Sequence, residues 1–190
     1  MNKSWLPWIE IGYTTFAYQG MEELKIERLA KKVGKNKSSF YHHFADMEIF
    51  ISQLLKYHIE QSKILAIKEG NCISKEELID ILVEHKTDLL FNRQLRIHRQ
   101  KKEFEDCFVK TNEITLPNFL NLWSEILGLT GNTDLSKMML NLSLENFYLQ
   151  ITEKTLNHTW LNNYFKELQR LTKEFKRTSQ INLPILNGSV

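Results

Sequence analysis

The stretch Leu24–Phe44, LKIERLAKKVGKNKSSFYHHF, restricts the fold more than any other part of the chain. Ile26, Leu29, Ala30 and Val33 stand at i, i+3, i+4 and i+7, which is one apolar face of a helix. Gly34 then supplies the left-handed backbone that ends a helix at little cost. Asn36 is a good N-cap for a second, shorter helix, because its side chain can accept from the unpaired amides of the first turn. That helix turns Phe40 and Phe44 inward and leaves Lys37, Ser38, Ser39, Tyr41 and His42 facing out. From Lys25 to Phe44 there are six Lys/Arg against one acid, Glu27. A helix-turn-helix with a basic rim and a short polar second helix has the form that enters a DNA major groove.

Charge elsewhere sharpens this point. The 190-residue chain nets +2, yet residues 1–45 carry seven Lys/Arg against four Asp/Glu, so the positive excess is local and the rest of the chain nets −1. Electrostatic footprints of nucleic-acid binders are local in this way. Few Gly and Pro, with abundant Leu, Ile, Lys and Glu, predict an all-α chain of about nine helices. Cys72 and Cys107 have no metal-ligand spacing and read as inert thiols in a reducing cytoplasm. The histidines show no metal pairing with Cys or acids and read as solitary structural or surface residues. There is no nucleophile elbow, phosphate-cradling Gly loop or paired-carboxylate motif, so neither an enzyme nor a cofactor is expected. No run approaches the ~18–20 uncharged apolar residues of a membrane span. The expectation is a cytoplasmic protein with no membrane partner.

Along the chain, the pattern predicts a first helix over Trp5–Gln19, capped by Ser4, with Pro7 in its first turn and Gly12 packed close to a neighbouring helix. Asp46 caps a long helix to about Lys68, stopped by Glu69-Gly70-Asn71. Ser74 and Glu77 form a capping box for a helix to about Phe91, with a break at Asn92-Arg93. The next helix covers Leu95 to about Lys110, and Pro117 opens another that ends at Gly128–Gly131. Asp134 caps a strongly apolar helix over about 134–154, and a final helix follows over about 159–177. The segment 178–190 reads as a loosely held tail.

The order of these residues resembles the tetracycline-repressor (TetR) family of bacterial transcription regulators. The resemblance rests on Ile9, Gly12, Phe16 and Gly20 in a first helix, then Leu24-Lys25-Ile26, Leu29-Ala30, Gly34 and Phe40-Tyr41-His42-His43-Phe44, and covers roughly residues 5–50. It implies a three-helix helix-turn-helix DNA-binding domain over 1–50, joined by helix 46–68 to a helical effector-binding and dimerisation domain over 51–190. Lys37 and Ser38 would lie nearest base edges, with Ser39, Tyr41, His42 and His43 completing the DNA-facing surface. His43 beside Phe44 could equally be a packing residue. Lys25, Lys35 and Asn36 border that surface. Lys25 replaces the family's usual Thr or Ser cap, Lys35 a small apolar residue, and Met47 a basic residue that often grips phosphate.

The implied function is a ligand-responsive repressor that binds a palindromic double-stranded operator as a homodimer through the helices 134–154 and 159–177. A small molecule bound among the helices of 75–128 would release DNA by changing the spacing of the two heads. The alternative is a helical protein-interaction module with a vestigial helix-turn-helix. Phe104, Phe108, Phe119, Trp123 and Phe147 are the candidates for lining a ligand pocket, against the plainer reading of core. Arg93, Arg96, Arg99 and Lys102, with Lys101 beside them, read as a solvated face or as a second anion-binding stripe.

Overall fold

The structure, a computed structural model, describes residues 4–181, with side chains described through Arg177. Among these residues there are nine α-helices and one short 3₁₀ turn, and no strand. The helices are α1 (Leu6–Gln19), α2 (Ile26–Val33), α3 (Lys37–His43), α4 (Met47–Asn71), α5 (Lys75–Glu84), α6 (Lys86–Ile97), α7 (Lys102–Ile126), α8 (Thr133–Gln150) and α9 (His158–Ile181). No helix among the described residues is long and apolar enough to cross a membrane.

Helices α1 to α3 close around an aromatic cluster. Phe40 meets Trp8, Phe44 and Phe50 at ring-centroid distances of 5.4, 5.2 and 5.3 Å. All four side chains are buried. Gly12 is the condition for this closure: a Cβ there would stand 2.4 Å from Phe50 Cζ and 3.3 Å from Leu54 Cδ2. Only a residue without a side chain lets α1 lie this close to α4. Ser4 does not cap α1. The cap position is Trp5, which makes no side-chain capping bond, and Pro7 sits in the first turn, where its missing amide is not needed.

Behind the head, α4 and α7 run side by side in the same direction, with Leu55 against Cys107 and Gly70 against Asn118. Here the helix boundaries depart from the sequence reading. Glu69-Gly70-Asn71 does not stop α4, which continues to Asn71 and buries Glu69. The segment 75–97 breaks at His85 rather than at Asn92-Arg93, because His85 and Asp88 bond to each other at 2.7 Å and turn inward together. Pro117 does not open a helix but lies inside the 25-residue α7. Packing along α4 outweighs the backbone hydrogen bond that Pro117 cannot make. Asn132, not Asp134, caps α8 by accepting from Leu135 N at 3.0 Å. Helix α9 continues through Ile181, four residues into the segment read as tail, and residues 182–190 lie outside the described part.

The hand-over from α1 to the rest of the chain is polar and buried. Tyr13 Oη donates to Asp88 Oδ1 at 2.5 Å and lies 2.6 Å from His58 Nδ1. His58 Nε2 lies 2.9 Å from Asn92 Oδ1. The aromatic rings of Tyr13 and His58 both stack on Phe91, at 4.4 and 4.3 Å. His58 and His85 are therefore not solitary histidines; both are network members.

Candidate functional site

Helix α3 is seven residues long and is held from below and at both ends. Gly34 adopts φ 71°, ψ 32°, and the Gly34 and Lys35 amides bond back to Lys31 O at 3.3 Å and Ala30 O at 3.0 Å. This paired closure ends α2 and fixes the turn. Asn36 Oδ1 accepts from Ser39 N at 2.8 Å and starts α3. Phe40 and Phe44 anchor its inner face. Asp46 Oδ1 accepts from Ile49 N at 2.8 Å, so α4 begins at once.

What remains outside is the candidate surface. Lys25, Lys35, Asn36, Lys37, Ser38, Tyr41 and His42 are exposed, while Ser39 and His43 are half-buried. Lys37 Nζ reaches Glu27 at 2.5 Å across the turn, which lowers the Glu27 carboxyl pKa below its ordinary value. An exposed pair of this kind contributes little and exchanges partners easily. Arg28 pairs with Glu23, and Lys32 is tied to Thr15 and Gln19, both at 3.0 Å, so these two cations brace α2 on its neighbours. Lys25 begins α2 with no side-chain cap, as its residue type requires.

A second candidate site lies among α4 to α9. A cavity of about 60 Å³ is lined by Phe119, Trp123 and Phe147 together with Glu69, Asn92 and Tyr148. Phe104 and Phe108 do not line it. Phe104 packs on Phe16 at 5.6 Å beneath α1, and Phe108 stands edge-on to Tyr148 at 5.5 Å. The basic series does not form one stripe, since α6 ends at Ile97 and α7 begins at Lys102. Arg96 turns inward, with its Nη2 2.6 Å from Glu145 and its guanidinium over the Phe108 ring. Sequence reasoning missed Glu69 because the following Gly-Asn masked it as a helix end. A carboxylate four residues past Leu65 on the apolar face was the available signal.

Comparison with known proteins agrees with this geometry. Residues 10–54 match the family described as bacterial regulatory proteins, tetR family. The match takes in α1 from residue 10, α2, α3 and the first turns of α4. A TetR-family transcriptional regulator structure from Mesorhizobium loti aligns with a TM-score of 0.58 at 14% identity, over 92% of this chain and 98% of that one. One from Rhodococcus sp. gives the same TM-score and identity over 91% and 98%. No curated protein matches. The described residues thus form an all-helical fold whose N-terminal helices make a tetR-type helix-turn-helix domain. Over residues 10–54 the chain matches the tetR family of bacterial regulatory proteins, and its overall fold is similar to that of the two TetR-family regulators.

Proposed function

We propose that the chain is a homodimeric, ligand-responsive repressor that presents α3 to the major groove of a palindromic operator. The observation that carries this reading is α3 itself. It is anchored by Phe40 and Phe44, capped by Asn36, and carries Lys37, Ser38, Tyr41 and His42 on its outer face. Lys37 would leave Glu27 for a guanine edge or a phosphate, Ser38 would meet a base edge, and the Tyr41 hydroxyl suits a phosphate oxygen. Lys25, Lys35 and His43 would border the backbone contacts.

Helices α1 to α3 with the start of α4 would form the DNA-binding unit, and residues 51–190 the effector and dimer unit. Met138, Leu142 and Leu149 on α8 and Leu171 and Phe175 on α9 are each more than half exposed. They stand at helical spacing and would be covered by their copies in a four-helix dimer interface. Ligand in the cavity would act on the heads through α4, which contributes Phe50 to the head core and Glu69 to the cavity wall.

Footprinting on genomic DNA fragments tests the reading. Specific footprints are expected from the wild type and lost in a Lys37→Ala, Tyr41→Ala double variant. Sequence-blind, salt-sensitive binding alone would remove the operator reading. Sedimentation at micromolar concentration tests the dimer, and a Leu142→Glu variant is expected to sediment as a monomer.

A further inference from the structure

The cavity contains an acid with no counter-charge. Glu69 projects from α4 and is buried, and its Oε2 has no hydrogen-bond partner. No Lys, Arg or His lines the cavity, and Glu69 is its only carboxylate. Trp123 Nε1 on the same wall is also buried and unpartnered. Around these two atoms the walls are aromatic, with Phe119, Phe147, Tyr148 and Phe165. A buried carboxyl without a partner costs stability, and proteins relieve it by pairing. Among the described residues nothing supplies the pair.

We infer that this cavity selects an organic ammonium ion, with the charged nitrogen on Glu69 and an apolar or aromatic body against the rings. The inference rests on the ligand-responsive reading above and assigns its effector a chemical class. Aromatic faces attract a cation as the carboxylate does, so both parts of the wall favour the same ligand. A neutral ligand leaves the acid protonated and gains no charge pairing, and an anion finds no cation to meet.

Burial holds the empty-site carboxyl pKa up at about 8. The other titratable groups near it are the Tyr148 hydroxyl from α8, the Tyr164 hydroxyl from α9 and the Cys72 thiol at the end of α4. Phenols and thiols carry no positive charge in either form, and burial raises the pKa of each, so all three stay neutral. At pH 7 an arriving ammonium therefore displaces a proton from Glu69 into solvent. The cavity of about 60 Å³ is smaller than the ~300–1,000 Å³ of formed ligand sites, so a wall must yield. Helix α7 is the wall suited to do so. It lines the cavity on both sides of Pro117, with Asn112 and Thr115 before it and Phe119 and Trp123 after it.

The test is calorimetric titration of the full chain with three probes of similar shape: benzylammonium, benzyl alcohol and benzoate. Benzylammonium is expected to bind at least about tenfold more tightly than benzyl alcohol, with benzoate weakest. Paired titrations in buffers of different ionisation heat should show close to one proton released per ammonium bound. Glu69→Gln should bring the ammonium to the level of the alcohol and abolish proton release, with the alcohol changed little. Thermal melting should show the variant at least as stable as the wild type.

Equal binding of alcohol and ammonium to the wild type, ammonium preference surviving Glu69→Gln, or no binding of any probe would each overturn the inference. Footprints of ligand-free wild type and Glu69→Gln on genomic DNA separate this outcome from the larger reading. If both proteins footprint while the ammonium preference is absent, only the ligand class is wrong. If the wild type gives no footprint, the regulator reading itself fails.

Discussion

The helices that form the head and those that form the body solve burial differently. In the head, the buried groups are aromatic and interlocked. Trp8, Phe40, Phe44 and Phe50 touch one another, and the polar ends of α3 and α4 are capped by Asn36 and Asp46. In the body, polar groups are carried into the interior. Some of them are paired, as in the chain of Tyr13, Asp88, His58 and Asn92, and others are left open, as at Glu69 and Trp123. A region with every group satisfied has one conformation to adopt. If the proposed effector binds, the unpaired polar atoms around the small void are where it would find partners.

The comparison can be broken by paired truncations. Phe40→Ala should cost about 4 kcal/mol, near the upper end for a fully packed ring, and should abolish footprinting. Phe147→Ala, beside the existing cavity, should cost about 3 kcal/mol, because less packing is lost there. Equal losses in urea unfolding would show the two cores to be alike. Gly12→Ala should cost about 2 kcal/mol, since the new Cβ must displace Phe50, outweighing the gain in helix propensity. A neutral or stabilising result by thermal melting would mean that the head core is looser than its contacts suggest.

The pH dependence sharpens the contrast from the body's side. Glu69 keeps its proton to about pH 8 when folded, whereas an ordinary carboxyl loses it near 4.5, so its contribution to stability falls as pH rises through that window. Burial lowers His58 from 6.5 to about 4, so its contribution works the other way, lost as pH falls below 6.5. Above pH 6.5 the Glu69 effect is therefore the one of the pair that remains. Stability measured by denaturant unfolding should fall by about 1.5 kcal/mol from pH 6.5 to 8, and Glu69→Gln should flatten that slope. The smallest effect is in the head, where Asn36→Ala should cost about 1 kcal/mol through its lost cap, read by the same unfolding curves.

The same contrast explains what could be read in the sequence. The head was legible because its rules are local. Gly34 ends α2, Asn36 begins α3 and Asp46 begins α4, each within a few residues of what it controls. The body was less legible because its boundaries are set at a distance. The break at His85 depends on Asp88 and, through it, on Tyr13 on α1. Helix α7 runs through Pro117 because α4 lies alongside it. Glu69 gains its meaning only when six helices converge around it, and periodicity on one helix cannot show an absent counter-charge. Three of the five aromatics proposed for the pocket line the cavity, while Phe104 and Phe108 pack elsewhere, since spacing on a helix does not say which neighbour a face will meet.

The hydroxyl of Tyr13 has a consequence for how proteins of this design can diverge. It belongs to the first helix of the head, yet it donates a hydrogen bond to Asp88, deep in the body, and its oxygen lies against His58. A head grafted onto a foreign body would carry a buried phenol with nowhere to place its proton. The abandoned body would keep a carboxylate and an imidazole facing an empty slot. Recombination between relatives is therefore constrained to move positions 13, 58 and 88 as one unit, whatever DNA sequence the head reads.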